Sequence, residues 1–262
     1  DTLTRLGEKL RERTRQLSYE EKVLRTLKSD EETLRQTFLS DLVYRRDKTL
    51  KTASLDRINE DFHYGLRPGN FCFGILKLDG HVFDDMENLR FMADKVRGVM
   101  DRLLPECTFD YELLVAGSFF YFLLNFEESM RSQVRRQMKA LFDEVRIQGG
   151  ILKDFAATLS LGTVCGGLDG LDSSLKNARL LIEERLVAGT GKLLEGELPQ
   201  KGSFADSALF AEFNSRMSQA LESLDVLSVR EALQQLKSQM LASPGITGHE
   251  LLQMTKEVCN LY

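Results

Sequence analysis

The sequence predicts an α+β fold in three parts: a long N-terminal coiled-coil-like helix, a central unit with one helix-covered sheet, and a C-terminal helical segment. Three observations indicate this. Leucines recur every seven residues near the N-terminus. Apolar runs of strand length alternate with helix-periodic stretches in the middle, and helix-capping signals return near the C-terminus. We expect the three parts to divide at residues 1–66, 67–198 and 199–262.

Composition and charge exclude several classes of protein. The 262 residues include 35 Lys and Arg against 40 Asp and Glu, which gives a formal charge of -5. This balance disfavours a chain that wraps nucleic acid over most of its surface. No apolar run approaches the roughly 18 residues of a membrane span, and no signal-peptide core is present, so we expect a cytoplasmic location without membrane contact. The separated Cys and His residues lack zinc-site spacing and favour free thiols, with a disulfide pair as the alternative.

The N-terminal part carries a leucine seam on a charged helix without proline. Such a heptad pattern is typical of a coiled coil. We expect a parallel homodimer, and the alternative is an amphipathic helix packed on its own domain. The candidate seam residues are Leu3, Leu6, Leu10, Leu17, Leu24, Leu27 and Leu34.

The central part has the order β-α-β-β-α-β-α-β. The sequence Ala116-Gly117-Ser118 separates two apolar runs and predicts a hairpin between them. Helices interspersed with apolar strands indicate one sheet covered by helices. The predicted strands lie at 71–78, 109–115, 119–126, 155–164 and 192–194, and the helical repeats at 86–103, 130–145 and 175–182.

The C-terminal part is predicted to be helical throughout. One helix face is formed by Phe210, Phe213, Met217, Leu221 and Leu224. Capping boxes, in which Ser or Thr is followed three residues later by Glu, are predicted at Ser228 with Glu231 and at Thr247 with Glu250. They mark where the second and third helices of this part begin.

The central part resembles the GGDEF domain, the fold of diguanylate cyclases. Three stretches carry the resemblance: the hairpin at 114–120, the β-forming run 157–162 ending in Ser-x-Gly, and the helix from Ala178 to Gly189. Together they cover residues 71–196. The resemblance implies a cyclase-like sheet with a nucleotide pocket at the hairpin and at the end of the first strand.

The same comparison argues against catalysis. In the family, acidic residues hold two divalent ions on a nucleoside triphosphate. Here Ser118 and Phe119 replace the signature acids, and Lys77 aligns with a metal-binding Asp. An ammonium about 4 Å from a divalent ion would repel it by roughly 8 kcal/mol at an effective dielectric of about 20. The family's phosphate-binding cations align with Leu186 and Thr190. We therefore expect no catalytic residue, no cofactor and no metal site, and a vestigial pocket lined by Lys77, Asp79, Gly117 and Ser118.

Other local signals have structural interpretations. Residues 189–192, with the sequence Gly-Thr-Gly-Lys, follow a helix and lack the spacing of a phosphate loop, so we expect a helix stop. Asp84 and Asp85 fit the start of a helix better than a metal cluster, and His81 stands in a turn. A small anion patch on Arg131, Arg135 and Arg136 is possible, but a solvated helix face is favoured.

Over roughly residues 20–262 the pattern resembles the central region of bacterial response regulators of the AraC type. The resemblance implies a receiver domain or sensor kinase upstream, and a DNA-binding double helix-turn-helix after Tyr262 through which alone the protein would contact DNA. The expected function is a non-catalytic signal-relay and dimerisation region of a transcription regulator. The alternative is a small-molecule or nucleotide sensor that retains a dead cyclase pocket, and an active nucleotide cyclase is the least favoured.

Overall fold

The computed structural model of the chain describes residues 30–44, 54–147, 155–197, 207–242 and 245–261. Of the predicted seam, Leu34 lies within this part, where it is partly exposed on a helix. The other six leucines, from Leu3 to Leu27, lie outside the described residues, and the coiled coil stays a prediction.

Helices and strands alternate through the described chain. The strands are β1 (Asn70–Asp79), β2 (Asp110–Ala116), β3 (Phe119–Phe126), β4 (Ala156–Leu161) and β5 (Leu193–Glu195). The helices are α1 (30–44), α2 (Leu55–Phe62), α3 (Met86–Leu103), α4 (Arg131–Ile147), α5 (Leu171–Glu183), α6 (Arg185–Ala188), α7 (Ser207–Glu222), α8 (Val226–Ala242) and α9 (Gly248–Leu261). The α+β class and the predicted order of central elements are confirmed.

The strands form one mixed sheet in the order β2-β3-β1-β4-β5. Neighbouring strands of this sheet are antiparallel, except that β4 and β5 run parallel. The predicted hairpin joins β2 to β3 through Gly117, whose φ of 55° lies in the left-handed region that glycine adopts without strain. The two edges of this sheet are therefore β2 and the short β5.

Both faces of the sheet are covered by helices. Because successive side chains of a strand point to opposite faces, Phe71, Phe73 and Ile75 of β1 pack against α1, α2 and α5. Leu76 and Leu78 of the same strand pack against α3 and α4. Burial of each such side chain contributes about 1.5–3 kcal/mol. The sheet is thus the middle layer of three.

Helix α5 approaches the sheet closely because small residues stand at the contact. The Ser160 hydroxyl donates to the Ala178 carbonyl at 2.8 Å, and the Phe73 amide donates to the Ser174 hydroxyl at 2.9 Å. A Cβ on Gly162 would lie 2.2 Å from the Ser174 carbonyl oxygen. Any side chain at Gly162 therefore displaces α5.

The C-terminal helices form a separate small cluster. Phe213 and Met217 of α7 pack against Leu236 and Met240 of α8. Two members of the predicted face of α7 do not join them, since Leu221 is 44% exposed and Leu224 is 87% exposed. For Leu224 the reason is that α7 ends at Glu222, so the helical periodicity stops before this residue.

One of the two predicted capping boxes is wrong. Helix α8 begins at Val226, where Asp225 accepts from the Leu227 amide at 3.0 Å, and the Ser228 hydroxyl donates to the same Asp225 at 2.7 Å. The box at Thr247 is confirmed. Glu250 donates its amide to the Thr247 hydroxyl at 3.2 Å and accepts from the Thr247 amide at 2.9 Å.

Substitution of Gly162 tests the close packing of α5. We expect Gly162→Ala to lower the free energy of unfolding by about 1–3 kcal/mol, because the new methyl group meets a backbone carbonyl. Gly98→Ala in α3 is the matched control: no heavy atom lies within 4 Å of its new Cβ, and a helix interior gains up to about 1 kcal/mol from Ala. Urea denaturation measures both, and equal stability of Gly162→Ala and the wild type would contradict this account.

Candidate functional site

The end of β1 brings together the residues that the sequence assigned to a vestigial pocket. Lys77 and Asp79 are two residues apart on a strand, so their side chains share the face covered by α5. The hairpin turn adds Ser118, whose carbonyl accepts from the Leu78 amide at 2.9 Å. Gly117 contributes the turn conformation, and beyond its two chain neighbours no heavy atom lies within 4 Å of where its Cβ would be.

The Lys77 ammonium is held from several sides. It donates to the Ser118 hydroxyl and to the Leu78 carbonyl at 3.1 Å, and it lies 4.6 Å from the centre of the Phe119 ring. Its side chain is only 13% exposed. Burial lowers the pKa of Lys77, and the nearby Arg185 adds to this, whereas Asp79 opposes it. The ammonium therefore occupies a fixed position at the strand end.

The Asp79 carboxylate lies between two cations. One oxygen lies 3.7 Å from the Lys77 ammonium, and the other accepts from the Arg185 guanidinium at 3.1 Å. Arg185 is anchored in turn by a 2.9 Å hydrogen bond to the Ile182 carbonyl. The cluster, which we call the strand-end cluster, thus holds two positive groups and one negative group, the reverse of the balance that a divalent cation needs.

Sequence reasoning missed Arg185. The alignment with the last helix of the GGDEF family assumed one continuous helix and pointed to Leu186 and Thr190. In the structure α5 ends at Glu183 and a short α6 follows, and Arg185 at its start donates to Asp79. The pairing of Arg185 with a residue 106 positions away leaves no periodic signal in the sequence.

The remaining sequence signals have structural roles. Asp85 is the N-cap of α3 and accepts from the Glu87 amide at 2.9 Å, and Gly189, with φ of 87°, ends α6 as the predicted helix stop. His81 is exposed beside Asp84, and Arg135 pairs with Glu195. Within the ranges that the structure describes, no three His, Cys, Asp or Glu side chains group in a way that could hold a metal ion. All four cysteines are free thiols.

A second cluster fixes α1 to the edge of the sheet, and no sequence signal pointed to it. The Arg35 guanidinium makes five hydrogen bonds, which match its five N–H groups. Nε donates to Glu112 at 2.6 Å, and Nη1 and Nη2 donate to Asp110 at 3.1 and 2.7 Å. Nη1 also donates to the His63 carbonyl at 3.1 Å, and Nη2 also donates to the Tyr111 carbonyl at 2.8 Å. We call this set the Arg35 anchor.

The Arg35 anchor is largely shielded from water. The Glu112 side chain is 4% exposed, and the Tyr64 ring lies 4.2 Å from the guanidinium carbon and donates its hydroxyl to the Arg35 carbonyl. Burial opposes the charge of Arg35, but hydrogen bonds and charges of Asp110 and Glu112 outweigh it and raise the pKa of the guanidinium. Removal of one partner of such a pair costs about 3–5 kcal/mol, because the remaining charge stays buried.

A third contact holds α9 on the end of α5. The Gly248 amide donates to Glu184 at 2.9 Å, and the ring of His249 lies 2.6 Å from Glu183. A Cβ on Gly248 would stand 2.0 Å from the Glu183 carbonyl oxygen, so only glycine fits. Burial raises the pKa of Glu184, the Gly248 amide opposes this, and the charges of Glu183 and Glu250 add to it. We call this contact the α9 clasp.

Comparisons with known proteins identify no family for this chain. No protein-family model matches it, and no curated protein matches it significantly. The helices within the described ranges include none with both the length and the apolar character of a membrane span. The chemistry of the three clusters is therefore the basis for any functional conclusion.

The α9 clasp should depend on pH through Glu184. A carboxyl group whose pKa is raised by folding stabilises the folded contact at low pH, and this contribution is lost as the pH rises through the raised value. We expect hydrogen exchange of the α9 amides, after correction for intrinsic exchange, to quicken as the pH rises from the ordinary pKa of a glutamate through the raised pKa of Glu184. Glu184→Gln keeps an acceptor for Gly248 and should flatten the profile, and an unchanged profile in this variant would contradict the assignment to Glu184.

Proposed function

We propose that this chain is the non-catalytic signal-relay and dimerisation region of a bacterial DNA-binding transcription regulator of the AraC response-regulator type. In this proposal the central domain is a degenerate GGDEF-like domain. The N-terminal helix dimerises and receives the signal from an upstream receiver domain or sensor kinase. The C-terminal helices pass it to a DNA-binding domain after Tyr262. We place the protein in the cytoplasm.

The strand-end cluster supports the non-catalytic part of this proposal. A site for a nucleoside triphosphate and divalent ions needs carboxylates that face the metals. Here the Asp79 carboxylate is shared between Lys77 and Arg185, whose charges repel a divalent cation and neutralise the acid that would bind it. The three side chains bind one another, and this stabilises the end of β1 next to α5.

The observation that carries the relay is that α1 and α9 both contact α5. Phe38, Leu39 and Val43 of α1 pack in the same core as Ala178 and Ile182 of α5. Arg179 of α5 also donates to the carbonyl of Val43. Directly after these residues, Glu183 at the end of α5 and Glu184 beyond it meet α9 in the α9 clasp. In this proposal a shift of α1 reaches α9 through the C-terminal half of α5 and the adjoining Glu184.

Coupling between α1 and α9 tests the relay. Val43→Ala loosens α1 against α5, and we expect it to quicken hydrogen exchange of the α9 amides by about fivefold or more, the lower end of ordinary coupling energies. Val96→Ala is the matched control, because it removes the same two methyl groups from a fully buried position in α3 on the opposite face. Equal exchange of α9 in the two variants would defeat the relay, even if both proteins lose stability.

Nucleotide titration tests the non-catalytic assignment. With GTP and magnesium we expect no turnover and no binding heat, since Lys77 and Arg185 already neutralise Asp79. Binding heat without turnover would favour the nucleotide-sensor alternative. Turnover that disappears in Asp79→Asn would show an active cyclase and overturn the proposal.

A further inference from the structure

In the edge strand β2, side chains occupy the outward backbone groups of Tyr111 and Leu113. In the antiparallel pairing with β3, alternate residues of β2 direct their amide and carbonyl away from the sheet. Tyr111 and Leu113 are two of these residues, and Val115 follows by the period of two. Unpaired groups of this kind are a template for a further strand.

The side chains that occupy these groups come from three elements. The Tyr111 amide donates to Asp110 at 2.8 Å and the Leu113 amide donates to Glu112 at 2.9 Å. The Tyr111 carbonyl accepts from Arg35 of α1 at 2.8 Å, and the Leu113 carbonyl accepts from Arg97 of α3 at 3.5 Å.

Across this edge the two helix layers are joined. Arg97 of α3 lies 3.0 Å from Glu32 of α1 and 3.7 Å from Glu112 of β2. Side chains from both faces of the sheet therefore stand where the backbone of a partner strand would lie. Their hydrogen bonds are the ones that such a strand would make.

We propose that the β2 edge is a pairing surface for the β2 edge of a second copy of this chain, and that Arg35 and Arg97 keep it closed. The interface differs from the predicted leucine seam. It goes beyond the proposed relay, and it rests on that proposal only in the expectation that an upstream signal moves α1. When α1 shifts, Arg35 leaves the Tyr111 carbonyl and no longer holds Asp110 and Glu112, so a partner strand can displace these two carboxylates from the Tyr111 and Leu113 amides.

The charge pattern of β2 selects the occupant and its register. A two-fold axis at Leu113 pairs Tyr111 of one copy with Val115 of the other, so that all three outward residues find partners. In this register Glu112 faces Leu114 and Asp110 faces Ala116 of the second copy. Shifting the axis toward Tyr111 would place carboxylates opposite one another, which is destabilising. The strand is therefore self-complementary in the isologous sense that a two-fold dimer requires.

The test measures self-association by sedimentation in a Leu10→Ser/Leu17→Ser background, so that the predicted seam does not contribute. There we expect Arg35→Ala to lower the dissociation constant of self-association by about tenfold or more relative to the parent chain. Adding Val115→Pro should abolish the gain, because it removes an outward amide and leaves the β2–β3 pairs intact. Val115→Thr is its matched control and should keep the gain.

Arg97→Ala covers the case in which Arg35→Ala does not fold, since it frees the Leu113 carbonyl and leaves the Arg35 anchor in place. Circular dichroism identifies the folded variants. If Arg35→Ala or Arg97→Ala folds and stays as monomeric as the parent chain, the inference is wrong. It is also wrong if the variant associates and adding Val115→Pro leaves that association unchanged. Failure of the relay appears separately, as the lack of a Val43→Ala effect on α9.

Discussion

The position of α1 on the sheet depends on the guanidinium of one side chain, Arg35. Arg35 satisfies two carboxylates and two carbonyls at once, and its own carbonyl accepts from Tyr64. The apolar contacts of Phe38 and Leu39 are non-directional and would tolerate a sliding helix. The planar fork of Arg35 does not, because its donors match fixed acceptors. The apolar core thus holds α1 against the sheet, and the Arg35 anchor sets where along the sheet α1 docks.

Much of the fold is readable in the sequence because it depends on local periodicity. The apolar run at 71–78 predicts a buried strand, and the turn at Gly117 predicts the hairpin. What sequence reasoning missed is long-range: Arg35 meets Asp110, 75 residues away, and Gly248 meets Glu184, 64 residues away. At the candidate site, Lys77, Asp79 and Ser118 came from the family resemblance, and Arg185 was lost because the break after Glu183 has no compositional mark.

The three clusters use charge in different ways. In the strand-end cluster, Lys77 and Arg185 exceed the single charge of Asp79. In the Arg35 anchor, the two carboxylates carry one more charge than the Arg35 guanidinium, and the nearby Arg97 balances this excess. The α9 clasp gathers acids around one histidine, with Glu184 accepting from a backbone amide. Each cluster defines one junction, because desolvated charges tolerate few alternative arrangements. The strand-end cluster joins β1 to α6, the Arg35 anchor joins α1 to β2, and the α9 clasp joins α9 to the end of α5.

The glycine in the α9 clasp also limits how that helix can leave. The backbone of α9 touches that of α5 at Gly248, where a Cβ would overlap the Glu183 carbonyl. Turning α9 about its axis would bring the Cβ of His249 or Thr247 into the same space. Gly248 therefore limits the rotation of α9 about its own axis for as long as this helix stays packed on α5.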